Sequence, residues 1–248
     1  MHEQFIDVSS GHGAIPCFYV VPDLQQKWAP IIFYMDAPGI REELHNMARR
    51  IAKQGYACIV PDLYHRYGTL RFDTPRRSDA MTSVILSAYR GLTDENINQD
   101  TAGIIGFLDG RAEVLADHIG TIGFCMSGRF VTTTAACFPD RISCAASLYG
   151  TRLVTEDDDS PHKNLEPIKA ELYYGFGALD AYTPREYVET LLDSLEACGA
   201  RFKVDVFENA DHGYCFLERA AYNPLASETS WAKVFALFER NLQQNTHD

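Results

Sequence analysis

Cys125 lies in the run Gly123-Phe124-Cys125-Met126-Ser127-Gly128, after the apolar stretch Thr121 to Phe124 and before the helix-compatible Arg129-Phe130-Val131. A reactive side chain between small residues at a strand-to-helix junction is the local pattern of a nucleophile elbow. The sharp turn excludes bulky flanking residues and pushes the central side chain out of the backbone. A thiol placed there is intrinsically more nucleophilic than a hydroxyl, and needs a base or a lowered pKa to act.

Two further groups follow in the order nucleophile, acid, histidine. Asp180 stands in Gly177-Ala178-Leu179-Asp180-Ala181-Tyr182-Thr183-Pro184, and His212 stands in Ala210-Asp211-His212-Gly213-Tyr214. Each follows a short apolar run. The set points to covalent acyl transfer, with Cys125 attacking, His212 as base and Asp180 orienting it. Taken singly, each has a plainer reading. A cysteine in an alanine-rich context is usually a buried small hydrophobe, and an aspartate before a helix is usually a cap or turn residue. The joint order favours catalysis. Ser127 is a rival nucleophile by type, but it lacks the two flanking glycines of G-x-S-x-G and reads as a small packing residue.

These groups need a scaffold that brings distant strand ends together. Glu3 to Val8 and Ala14 to Val21 flank a glycine-bearing turn and read as a hairpin. Further strands are expected at Ile31 to Met35, Tyr56 to Val60, Thr121 to Phe124, Ser143 to Tyr149, Ala170 to Gly175 and Lys203 to Phe207. Helical spacing is carried by Leu44, Met47, Ala48 and Ile51. It recurs at Ile97, Thr101, Ile104, Ile105 and Leu108, at Val188, Leu191, Leu192 and Leu195, and finally at Trp231, Val234, Phe235, Phe238 and Leu242. The segment from Asp62 to about Ser78 reads as a long polar loop.

Strands alternating with helices predict an α/β fold, a mostly parallel central sheet with helices on both faces, in a single domain over residues 1–248. In such sheets ligands bind beyond the carboxyl ends of the strands. That rule draws attention to Asp36 as well as to Cys125, Asp180 and His212. The acidic run Glu156-Asp157-Asp158-Asp159 reads as a solvated loop.

The chain has 248 residues, 46% of them apolar, and a formal net charge of −12. That charge argues against nucleic acid or an anionic membrane as partner. The seven scattered cysteines include no C-x-x-C pair, which disfavours a zinc or dithiol site. Met1-His2-Glu3-Gln4 shows no leader pattern, and no apolar run approaches the ~20 residues of a membrane span. A reducing, cytoplasmic setting is expected, for a monomer or homodimer.

Several stretches together resemble the dienelactone hydrolase (carboxymethylenebutenolidase) family of the α/β-hydrolase superfamily. They are Gln54-Gly55-Tyr56-Ala57 through Pro61-Asp62-Leu63-Tyr64, Gly123-Phe124-Cys125-Met126, Gly177-x-x-Asp180 and Asp211-His212-Gly213. The resemblance implies the α/β-hydrolase fold and a Cys125–His212–Asp180 triad acting on a small-molecule ester or lactone through an acyl-thioester. It implies an oxyanion hole from the backbone N–H groups of Met126 and Ala37, and no metal or organic cofactor. It places Asp36 where the family has a glutamate contacting the resting thiol.

Phe216 stands where well-known members carry a carboxylate-binding arginine, four residues beyond the histidine. Arg76 and Arg77 offer a second candidate anion contact. Other reactions on the same fold, such as thioester or peptide hydrolysis, and a non-catalytic ligand-binding role are the alternatives.

Overall fold

The structure, a computed structural model, describes residues 1–242. It divides into two compact units, Met1–Ile119 and Gly120–Asp248.

The first unit opens with an antiparallel hairpin of β1 (His2–Ser10) and β2 (Gly13–Val21), with Gly13 at positive φ in the turn. Next come β3 (Ala29–Tyr34), α1 (Glu42–Lys53) and β4 (Tyr56–Pro61). The strand order is β1-β2-β4-β3, with β2/β4 antiparallel and β3/β4 parallel. Every residue of β3 and β4 is buried, as expected of strands covered on both faces. Glu42 and Glu43 in the first turn of α1 and Arg50 and Lys53 in its last turn complement the helix dipole.

Two capped helices finish the unit, α2 (Asp79–Arg90) and α3 (Asp94–Asp109). Their caps are Ser78, which accepts from the Met81 N–H at 3.2 Å, and Thr93, which accepts from the Asn96 N–H at 3.2 Å. Helix α2 is absent from the sequence expectation. Only Ile85 and Ala88 of its residues are buried, and Val84 and Leu86 are exposed. The Ser78 cap and the helical spacing of Met81, Val84, Ile85 and Ala88 were the available signals.

The second unit holds β5 (Ile119–Phe124), α4 (Ser127–Cys137), β6 (Ile142–Leu148), β7 (Glu171–Gly177), α5 (Arg185–Ala197), β8 (Phe202–Phe207) and α6 (Pro224–Leu242). Its strand order is β5-β6-β7-β8, with β6/β7 and β7/β8 parallel. Helices α4 and α6 both pack on β6. The expected α/β alternation is present, with β3/β4, β6/β7 and β7/β8 parallel and β1/β2 and β2/β4 antiparallel. Among the described residues no helix is long and apolar enough to cross a membrane.

Two glycines of α3 meet different surroundings. A Cβ on Gly103 would lie 2.7 Å from the Ser9 carbonyl oxygen, so this glycine lets α3 press on the hairpin backbone. A Cβ on Gly106 would meet nothing within 4 Å. Gly106→Ala is therefore expected to stabilise the protein by up to about 1 kcal/mol. Gly103→Ala is expected to destabilise it by about 1–2 kcal/mol, because backbone must give way. Thermal or urea melting of the two variants checks the opposite signs.

Candidate active site

The residue after β5 is Cys125, and its φ is +57°. A non-glycine residue in this left-handed region carries a backbone cost that its surroundings must hold. Three glycines allow the surroundings to close on it. A Cβ on Gly123 would stand 2.6 Å from the Ser127 carbonyl oxygen, where α4 begins. Gly128 and Gly150 pack backbone to backbone, a Cβ on Gly128 falling 2.2 Å from the Gly150 Cα. Main-chain bonds complete the hold. The Cys125 N–H donates to the Leu148 oxygen at 3.1 Å, and its carbonyl accepts from Gly128 at 3.1 Å and Thr151 at 2.9 Å. Ser127 is fully buried in this contact, which fits a packing role.

The segment after β6 is held as firmly. Tyr149 and Arg152 also have positive φ. The Tyr187 hydroxyl donates to the Gly150 oxygen at 2.9 Å and accepts from the Leu153 N–H at 2.7 Å. Arg129 of α4 is buried, and it donates to the Arg152 and Asp159 oxygens at 3.3 and 3.2 Å and to the Asp159 carboxylate at 3.0 Å. The acidic run is exposed, as expected of a solvated loop, and Asp159 also ties it to the helix behind the elbow.

Asp180 follows β7 and His212 follows β8. Gly177 allows their loops to meet: a Cβ there would stand 2.4 Å from the Ala210 oxygen, and the Leu179 N–H donates to that oxygen at 3.0 Å. Asp180 is 2% exposed. One of its oxygens accepts from the Tyr182 N–H at 2.8 Å, and the other lies 2.8 Å from His212 Nδ1. The Cys125 side chain is near enough to His212 to act on its charge. Cys125, His212 and Asp180, expected from the sequence to act together, are therefore brought together.

Burial opposes a charged imidazole, yet the bond to Asp180 and the negative charges of Cys125 and Asp180 outweigh it. His212 is pushed up to about 10. Its ring contacts two aromatics edge to face, Tyr149 at 5.3 Å and Tyr182 at 4.8 Å. Neither tyrosine was singled out in the sequence. The only hint was Tyr182's position two residues after an aspartate, where an aspartate side chain can bond the backbone N–H.

Met126 is buried, in helical conformation at the cap position of α4, so its N–H belongs to the amide-rich start of that helix. Phe216 is fully buried against Phe124 at 5.3 Å and Tyr149 at 6.2 Å, with the Arg219 guanidinium 4.9 Å over its ring. It fills an aromatic cluster and does not line open space, which corrects its expected place as a substrate contact.

The remaining candidates lie in the first unit. Asp36 is fully buried, and its carboxylate takes two bonds from Arg41, at 2.5 and 3.2 Å. The Asp36 carbonyl accepts from the Gly39 N–H at 2.9 Å, and the Ala37 carbonyl accepts from the Tyr64 hydroxyl at 2.7 Å. In a trans peptide the C=O and N–H point opposite ways, so the Ala37 N–H is directed away from Gly39. Arg76 is exposed and paired with Asp73, while Arg77 bonds the Thr82 hydroxyl at the start of α2. Among the described residues no cluster of three His, Cys, Asp or Glu side chains is placed to hold a metal ion.

The chain matches the profile of the dienelactone hydrolase family over residues 15–242. A Synechocystis sp. protein named "Putative carboxymethylenebutenolidase" is 27% identical over 220 residues, 86% of each chain. A crystal structure titled as a "Putative Dienelactone Hydrolase" from Klebsiella pneumoniae superposes with a TM-score of 0.86 at 23% identity, covering 96% of this chain and 98% of that one. A Pyrococcus horikoshii acylaminoacyl peptidase superposes with a TM-score of 0.74 at 17% identity, covering 100% of this chain and 43% of the peptidase. The last two likenesses establish the α/β-hydrolase fold, which carries more than one chemistry.

Because Cys125 helps to raise His212, its removal should lower the histidine's pKa. An NMR titration of His212 is expected to show an imidazolium persisting to about pH 10 in the wild-type protein. In Cys125→Ala the midpoint is expected to move down.

Proposed function

Since this chain belongs to the dienelactone hydrolase family, we propose that it hydrolyses a small ester or lactone through an acyl-thioester on Cys125. The observation that carries this reading is the line Cys125, His212, Asp180, in which both neighbours raise the imidazole and an Asp180 oxygen lies 2.8 Å from Nδ1. It starts at a residue held at φ +57°.

Cys125 passes its proton to His212, which gives the reacting pair of thiolate and imidazolium. The sulfur attacks the carbonyl carbon, and the oxygen of the tetrahedral intermediate gains the negative charge. The Met126 N–H, at the start of α4, is the oxyanion donor assigned within the second unit; one such donor is worth about 3–4 kcal/mol in a transition state. Collapse of the intermediate breaks the carbon–oxygen bond, and the imidazolium passes its proton to the departing alkoxide. A lactone opens by the same step and keeps its alcohol attached.

Acylation also prepares the second half of the cycle. In the thioester the sulfur carries no charge, so one of the influences that raised His212 is gone. The neutral imidazole then takes a proton from water as the water attacks the thioester carbon. The carbon–sulfur bond breaks, a carboxylic acid leaves, and thiolate and imidazolium are restored. Asp180 keeps Nδ1 engaged throughout, so that the other ring nitrogen faces the reaction. A reducing compartment such as the cytoplasm suits this chemistry, because the thiol must stay unoxidised.

Cys125→Ala is expected to lower kcat for activated esters and lactones by about a thousandfold or more while leaving the fold intact. Mass spectrometry of wild-type protein quenched during turnover should find the acyl group on the peptide containing Cys125. Full turnover by the alanine variant, or an acyl group on another residue, would overturn the assignment.

A further inference from the structure

The two faces presented to the His212 ring differ in exposure. Tyr149 is fully buried, and Tyr182 is 70% exposed. Tyr182 is therefore the aromatic neighbour of the imidazole that a molecule arriving from solvent can touch. Tyr182 is also held in register with the histidine, because its N–H donates to one oxygen of the Asp180 carboxylate while His212 Nδ1 bonds the other. Leu179, one residue before that aspartate, is 62% exposed and is fixed through its N–H to the Ala210 oxygen. An exposed leucine or tyrosine alone carries no message. Here both stand on a loop whose backbone is pinned at the acid and at the histidine loop.

The departing alcohol oxygen must come within hydrogen-bond reach of the histidine that protonates it. The carbon atoms next to that oxygen are then delivered alongside the imidazole ring, where Tyr182 can be reached. We propose that Tyr182 and Leu179 form an apolar shelf that receives the alcohol portion of the substrate. The substrate class this selects is esters whose alcohol carries an aromatic or bulky apolar group. The inference rests on the Cys125–His212 reaction proposed above.

Benzyl acetate and ethyl acetate share an acyl group and have alcohols of similar acidity, so their comparison isolates packing of the alcohol from leaving-group chemistry. The wild-type protein is expected to prefer benzyl acetate by about five- to tenfold in kcat/KM, the scale of one aromatic contact. Tyr182→Ala should remove most of that preference through a higher KM for benzyl acetate, a loss several-fold larger than the loss on ethyl acetate. Tyr182→Phe should retain the preference, and neither substitution should move the pH profile.

Four results would overturn the shelf. They are no turnover of benzyl acetate, no preference in the wild-type protein, a preference that survives Tyr182→Ala, and an equal loss on both esters in that variant. The last would mean that Tyr182 only steadies His212. Failure of the underlying reaction would look different, as Cys125→Ala protein that still turns over both esters.

Discussion

The left-handed backbone at Cys125 is the constraint on which the site depends. A side chain at φ +57° is held there only because its neighbours give it no other arrangement. The absence of side chains at Gly123, Gly128 and Gly150 lets the strand end, the start of α4 and the segment after β6 close around the turn. With that closure the end of β5 passes directly into the start of α4. The strain is local, while the restraint that maintains it comes from three separate parts of the chain.

The charged half of the site depends on a comparable close approach. Gly177 brings the loop after β7 against the loop after β8, and the carboxylate and the imidazole inherit their separation from that main-chain contact. Asp180 serves two bonds at once, one to a side chain and one to the backbone of its own loop. Geometry and electrostatics are therefore coupled. The groups that orient His212 are also the groups that keep its proton in place against the cost of burial.

Much of this was legible in the sequence because it is written locally. A nucleophile between small residues, an aspartate after one apolar run and a histidine after the next are patterns of a few residues each. Parallel pairing and strand alternation place such patterns at neighbouring strand ends. Features made by distant pairs were not legible. The contact of Gly128 with Gly150 joins two segments that carry no shared local mark, and the bond from buried Arg129 to Asp159 is of the same kind. Phe216 shows the converse limit. Its position relative to His212 suggested a ligand contact, while its apolar ring was drawn into the cluster of Phe124 and Tyr149. Helix α2 was legible from its cap and from the spacing of Met81, Val84, Ile85 and Ala88, although few of its residues are buried.

Arg129 grips its loop by the main-chain oxygens of residues 152 and 159 and by the Asp159 carboxylate. Carbonyls are common to every amino acid, so that part of the anchor registers how far the chain has travelled between those two points, while the carboxylate part reads Asp159. Away from Asp159, substitutions across the acidic stretch can accumulate at small expense, whereas inserting or deleting a residue there would be relayed through the guanidinium into α4. Spacing, more than lettering, is what that stretch has to conserve.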